Sequence, residues 1–193
     1  MTQHSVCPWW LGWFLLSPMR RWMQDPATIL APHVRPGMTV LEPGPGMGYF
    51  TLELARRVGE SGRVIALDVQ EGMLRALRRR ARRAGLGQVI DARLCPHDSL
   101  GIKEMDASVD FILAFAMVHE LPAADVFFRE SMAALKPGGV LLLAEPSGHV
   151  SAATFEAERA AAAQAGFLTL DDTRIRRCHS ALLGKPAAGH AGR

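Results

Sequence analysis

Cysteine, tyrosine and net charge are all scarce in this chain. Of 193 residues three are cysteine and one is tyrosine, and 22 Lys+Arg against 19 Asp+Glu leave a net charge of only +3. Cys7, Cys95 and Cys178 are odd in number, widely spaced and without a Cys-x-x-Cys pair. That pattern argues against a disulfide framework and a zinc-finger-type site, and fits a reducing compartment. A charge of +3 is too small to argue for a nucleic-acid partner. A membrane-spanning helix needs roughly 20 apolar residues, and the run at residues 6–16, VCPWWLGWFLL, is half that. The residues before it, MTQHS, carry no Lys or Arg, and no small-x-small cleavage site follows, so neither a span nor a signal peptide is expected. A cytoplasmic location with no integral span follows, with peripheral membrane contact left open by the aromatic run and Arg20 and Arg21.

What is present is the balance of a folded protein: 49 % hydrophobic, 21 % charged. The length suits one domain with a small appendage. Residues 1–36 are expected to form an aromatic-rich helical appendage, and residues 37–193 the main domain. Trp9 and Trp13 stand four apart, as do Trp10 and Phe14, so a short helix would stack them in pairs. Such a helix could pack on the core, close over an active site as a lid, or lie on a membrane. Ser17-Pro18 and Asp25-Pro26 each read as an N-cap followed by proline at the first helical position. Arg35-Pro36-Gly37 reads as the turn that ends the appendage.

From Met38 onward short apolar runs alternate with helical patterns. Strands are expected at 39–41, 64–67, 89–94, 110–116 and 140–144. Helices are expected at 48–58, 72–84, 123–135 and from a Ser151 cap to Gly166, with Lys136-Pro137-Gly138-Gly139 as a stop and turn. A closing pair of strands is expected at 167–170 and 178–183. Five rounds of alternation predict an α/β fold, with parallel strands, right-handed crossovers and helices on both faces.

In such sheets ligands sit beyond the carboxyl ends of the strands. The first strand runs into Glu42-Pro43-Gly44-Pro45-Gly46-Met47-Gly48 and then a helix. Its glycine spacing lacks the third glycine of a dinucleotide fingerprint, since Tyr49 stands there, and it lacks the Gly-Lys-Ser/Thr of a P-loop. The second strand ends at Asp68, 20 residues after Gly48. An acidic side chain there can accept from both hydroxyls of a ribose, and the separation is natural to one β-α-β unit. A tight structural turn and a solvated strand end are the plain alternatives for each feature alone.

The stretches VLEPGPGMGYFTLELA, VIALDVQEGML, VDFILAFAMVHEL and ALKPGGVLLLAEP together resemble the class I S-adenosylmethionine-dependent methyltransferases. Within that class the likeness is to small-molecule enzymes similar to the quinone-biosynthesis C-methyltransferases, over residues 38–185. The resemblance implies a Rossmann-like, doubly wound, seven-stranded sheet, with the last strand antiparallel and inserted between the fifth and sixth. It implies S-adenosyl-L-methionine as cofactor, with S-adenosyl-L-homocysteine as product. Its glycine loop maps onto Gly44, Pro45, Gly46 and Gly48, with Glu42 near the methionine amino group. Asp68 takes the ribose, and Val69 and Met73 pack on adenine. Ala114 and Phe115 form the cofactor-facing end of the fourth strand. The family's Gly-Asp after the third strand is replaced here by Cys95-Pro96, with Asp98 as a substitute acid for the adenine amino group.

Methyl transfer from a sulfonium depends largely on in-line alignment, and a base is needed only where the acceptor arrives protonated. His119 after the fourth strand and His149 after the fifth are the candidate bases, and Glu120 and Glu145 lie near enough in sequence to orient one. These four match no recognised metal signature, and no metal is expected. The Asp/Asn-Pro-Pro-aromatic motif of base-amine methylation and a Pro-Cys nucleophile are both absent, and three scattered thiols offer no metalloid-binding cluster. The expected acceptor is therefore a small, hydrophobic or planar molecule. Arg75, Arg78, Arg79, Arg80, Arg82 and Arg83 leave an RNA or protein methyltransferase as the alternative, beside a solvated helix face. A cofactor-binding partner subunit without catalysis is the other alternative.

Overall fold

In this computed structural model residues 24–187 are described. The expectations for the tryptophan-rich run and for Ser17-Pro18 lie outside those residues. Among the described residues seven strands form one sheet in the order β3-β2-β1-β4-β5-β7-β6, flanked by helices. The described residues fall into two compact units that part after Pro96.

The first unit opens with α1 (Pro26–Leu30), started by the expected cap: the Asp25 carboxylate accepts from the Thr28 amide, and Pro26 takes the first helical position. This part of the appendage packs into the unit's core, with Leu30 fully buried and Val34 nearly so. The Arg57 guanidinium donates to the Ala27 carbonyl at 2.6 Å and the Tyr49 hydroxyl to the Gln24 carbonyl at 3.0 Å. Strand β1 (Thr39–Pro43) pairs in parallel with β2 (Arg63–Asp68), and β2 with β3 (Ile90–Leu94). Helix α2 (Thr51–Val58) buries Thr51, Leu54, Ala55 and Val58, an i, i+3, i+4, i+7 stripe. Helix α3 (Glu71–Arg83) buries Met73, Leu74, Ala76, Leu77 and Ala81. Each buried leucine contributes about 1.5–3 kcal/mol.

The second unit holds β4 (Val109–Phe115), α4 (Ala124–Ala134), β5 (Leu135–Pro146), α5 (Ala152–Gln164), β6 (Leu168–Asp171) and β7 (Cys178–Gly184). Strands β4 and β5 are parallel, and β7 runs antiparallel between β5 and β6, as the resemblance implies. Strand β4 is buried along almost its whole length, which is why it reads as an apolar run from Phe111 onward. The Ser151 hydroxyl caps α5 by accepting from the Thr154 amide.

One element differs from expectation. Lys136–Gly139 is no free turn but the irregular start of β5: Leu135 already pairs with Val109, and the register slips before Phe111 meets Val140. Lys136 donates to Asp110 at 2.7 Å across that bulge. A side chain at Gly139 would meet the Lys136 carbonyl at 2.9 Å, so glycine is what the bulge admits.

Candidate functional site

In the first unit the candidate residues lie at the carboxyl ends of β1, β2 and β3. The Gly44 amide donates to the Leu67 carbonyl at 2.8 Å, carrying the β1–β2 ladder one residue into the loop, and the Gly48 amide closes back on the Pro45 carbonyl at 2.9 Å. Gly44, Gly46 and Gly48 all have positive φ, at 68°, 54° and 84°, the region that L side chains avoid. A Cβ on Gly48 would stand 2.4 Å from Leu77 Cδ1, so this glycine lets the loop close onto α3. A Cβ on Gly46 would stand in open space. The loop thus keeps its backbone bare on one side while the other packs on a helix.

Glu42 is buried at the end of β1, and Asp68 at the end of β2 is 7 % exposed. Asp68 Oδ1 accepts from the Gln70 amide at 2.8 Å, which fixes the carboxylate at the strand end. Val69 is half-buried, and Met73 packs with Met47 and Ala76. Pro45 is buried and stiffens the loop. Cys95 continues from β3 with its amide donating to the Asp68 carbonyl at 3.1 Å. A bare glycine backbone beside two buried carboxylates suits a ligand that brings a cationic amino group and a vicinal diol. S-adenosylmethionine has both, so these residues fit it.

The arginines of α3 divide. Arg78 donates to Glu71 and to the Ala92 carbonyl, and Arg80 to the Met47 carbonyl, bracing the glycine loop from below. Arg75, Arg79, Arg82 and Arg83 are exposed. Two of the six are therefore structural.

In the second unit Ala114 is fully buried and Phe115 nearly so at the end of β4. Ala116 then takes φ 56°, a left-handed conformation costing about 1–2 kcal/mol for an L residue. Its amide donates to the Ala144 carbonyl at 2.7 Å. This turn delivers a short 3-10 segment, Val118–Glu120, against Glu145 of β5. Glu145 is fully buried. Its Oε1 accepts from the amides of Val118 at 2.7 Å and Met117 at 3.3 Å, and its Oε2 is bonded to His119 Nδ1. With Nδ1 committed to the carboxylate, Nε2 is the ring nitrogen left for chemistry, and the His119 side chain is 24 % exposed. The bond to Glu145 raises the His119 pKa above its ordinary value; burial opposes this, and the charges of Glu145, Glu120 and Glu158 add to it.

His119 and Glu145 are thus brought together. His149 stands exposed in the turn after β5, and Asp98 is exposed in the turn after Cys95-Pro96. Glu158 escaped the sequence reading. It is 6 % exposed on α5, and its Oε2 makes no hydrogen bond among the described residues. Burial, with the Glu145 charge adding, pushes its pKa up to about 7 against the pull of His119. Phe155, Glu158 and Ala162 are the buried residues of α5, a helical spacing that would have shown the glutamate facing inward. Among the described residues no group of His, Cys, Asp or Glu is arranged to hold a metal ion, and no helix is long and apolar enough to cross a membrane.

A family model for a methyltransferase domain matches residues 40–139. A ubiquinone/menaquinone biosynthesis C-methyltransferase from Idiomarina loihiensis is 33 % identical over 125 residues, covering 65 % of this chain and 49 % of that protein. Its counterpart from Pasteurella multocida is 33 % identical over 118 residues, covering 61 % and 43 %. The chain therefore spans about half the length of these curated relatives. The crystal structure of an S-adenosylmethionine-dependent methyltransferase from Aquifex aeolicus superposes with a TM-score of 0.83 at 25 % identity, over 93 % of this chain and 99 % of that one. The chain belongs to the methyltransferase-domain family, and its fold is that of the class I S-adenosylmethionine-dependent enzymes.

Proposed function

We propose that this chain transfers the methyl group of S-adenosylmethionine to a small, hydrophobic or planar acceptor by in-line displacement. The observation that carries the reading is the loop of three positive-φ glycines, open at Gly46, beside the buried Asp68 carboxylate. When bound, S-adenosylmethionine supplies a methyl group already activated by its sulfonium. The chain's own work is to hold, orient and, for a protonated acceptor, to take a proton. Glu42 balances a cationic amino group, and Asp68 accepts from the ribose hydroxyls. Val69 and Met73 pack on the adenine, with Cys95 and Asp98 near its edge. Ala114 and Phe115 pack on the cofactor side of β4. His119 takes the acceptor's proton at Nε2, with Glu145 holding the ring and stabilising the imidazolium that forms. Because its pKa is raised, His119 serves as a base on the alkaline side of its own midpoint. His149 is the second candidate base.

The curated relatives are named as C-methyltransferases of ubiquinone/menaquinone biosynthesis, and planar, apolar carbon acceptors are therefore the first class of substrates to try.

The test is thermal stability with S-adenosylhomocysteine, for the native chain and Asp68→Ala. At about 100 times Kd a ligand should stabilise the native protein by roughly 2.7 kcal/mol. That gain should largely vanish in the variant. No shift in the native protein with either S-adenosylhomocysteine or the methyl donor overturns the reading. Binding without turnover on any acceptor points instead to a partner subunit, and steep salt dependence of acceptor binding to the exposed arginines and an RNA.

A further inference from the structure

We infer that Glu158 is a positioning residue for His119: its buried carboxyl group exchanges charge with the imidazole and so sets the protonation state in which the His119–Glu145 pair meets a substrate. The inference rests on the reading of His119 as a base, but not on any particular acceptor.

The geometry is that of three ionisable side chains from three elements. His119 comes from the 3-10 segment after β4, Glu145 from β5 and Glu158 from α5. Glu145 is saturated: two backbone amides and the imidazole occupy its two oxygens. Those donors fix its carboxylate in place. Glu158 is the opposite case. It is as buried as a core residue, yet its Oε2 has no donor among the described residues. A buried carboxylate in that position is costly, and the group relieves the cost by holding a proton.

Among the described residues, the other groups nearby do not supply a compensating cation. Glu120, on the same 3-10 segment, adds negative charge at His119. His179 of β7 lies opposite Glu145 in the strand register and stacks its ring on Phe155. Arg159, next to Glu158 on α5, is committed to Glu156 and Asp172. His119 is therefore the cation that Glu158 answers to, and the coupling runs both ways: the Glu158 charge raises His119, and the His119 charge lowers Glu158. Near neutrality the pair exchanges one proton, held on the carboxyl beside a neutral ring or on the ring beside a carboxylate. When the ring takes up a proton, release of the Glu158 proton restores the net charge of this buried group. Two sites coupled this way titrate together rather than as independent groups.

The experiment is an NMR titration of the His119 imidazole between pH 5 and 9 in the full chain, with neither cofactor nor acceptor, assigned by comparison with His119→Gln. The native curve should be broader than a single-site titration, because each protonation opposes the other. In Glu158→Gln it should sharpen to a single site, with its midpoint lowered by about half a unit or more. In Glu158→Asp the coupling should persist in part. Glu145→Gln, which removes the partner on Nδ1, should lower the midpoint further than Glu158→Gln does. Near- and far-ultraviolet circular dichroism establishes that each variant is folded. Should Glu158→Gln fail to fold, the broad native curve and its change in Glu158→Asp carry the test alone. An unbroadened native curve, or a midpoint unmoved in folded Glu158→Gln, overturns the inference. Neither result touches the cofactor reading, which the S-adenosylhomocysteine shift decides separately.

Discussion

At the scale of the residue, Gly46 and Gly48 look alike in sequence and do different work. Both hold positive φ, so alanine at either costs about 1–2 kcal/mol in backbone strain. At Gly48 the new methyl would also be driven to 2.4 Å from Leu77 Cδ1, an overpacking that adds about 1–3 kcal/mol. At Gly46 it would meet nothing within 4 Å, and would occupy the space above the loop instead. Gly48→Ala is therefore expected to lose about 2–5 kcal/mol in a urea melt. Gly46→Ala should lose no more than half of that, and yet bind S-adenosylhomocysteine at least tenfold more weakly. Equal losses of stability would contradict the packing argument, and unimpaired binding in Gly46→Ala would remove this loop from the cofactor. Both glycines were legible as a ligand loop because strand, turn and helix follow one another there. Which glycine faces the helix was not, because Leu77 lies 29 positions on and the contact exists only once α3 has docked.

At the scale of the element, what could be read from sequence was what is local. The Asp25 cap of α1, the Ser151 cap of α5 and the buried run of β4 each depend on residues a few positions apart. The misread Lys136–Gly139 turn failed for the complementary reason. Its Pro-Gly-Gly looks like a stop, but Val109 and Asp110, 26 positions earlier, pair with Leu135 and Lys136 and draw the segment into β5. The end of α4 has a similarly remote support. Lys185, just after β7, donates its Nζ to the carbonyls of Leu135 at 2.6 Å and Met132 at 2.7 Å. It caps the orphan acceptors at the negative end of the helix. Replacing it by methionine keeps the apolar stem and removes the donor. Lys185→Met should cost about 1–3 kcal/mol in denaturant unfolding, as expected for charged hydrogen bonds to partly buried carbonyls. Lys185→Arg should recover part of that loss. No measurable loss in the methionine variant would make the cap ornamental. Glu158 was missed on related grounds: its spacing from Phe155 and Ala162 marks the inward face of α5, but only the groups on β5 and the 3-10 segment give that carboxylate a role.

At the scale of the whole molecule, those buried groups leave a sign on how stability varies with pH. Glu158 has a folded-state pKa raised from the ordinary 4.5 to about 7. A group of that kind favours the native state fully below its unfolded pKa, and that favour drains away as pH rises through the folded value. His119, also raised, acts in the same direction but only from about its unfolded value of 6.5 upward. Asp125, lowered by its bond to Arg129, has the opposite sign. So has Asp91, where Arg93 and Arg63 overcome the upward push of burial. Both aspartates have delivered their stabilisation by pH 5, so they do not contribute to a change above it. The native chain should therefore lose stability between pH 5 and pH 8, and Glu158→Gln, neutral throughout, should lose less. The difference between the two unfolding free energies carries the Glu158 share together with the part of the His119 titration coupled to it, on the order of 2 kcal/mol across that window. It should be nearly complete by pH 7.5, since the folded midpoint has then been passed. A parallel pair of curves would mean that Glu158 is ionised in the native protein at pH 5, and that some donor on α5 or beyond it satisfies the carboxylate. A gap that opens only above pH 7.5 would assign the loss to His119 instead, whose own titration the variant moves.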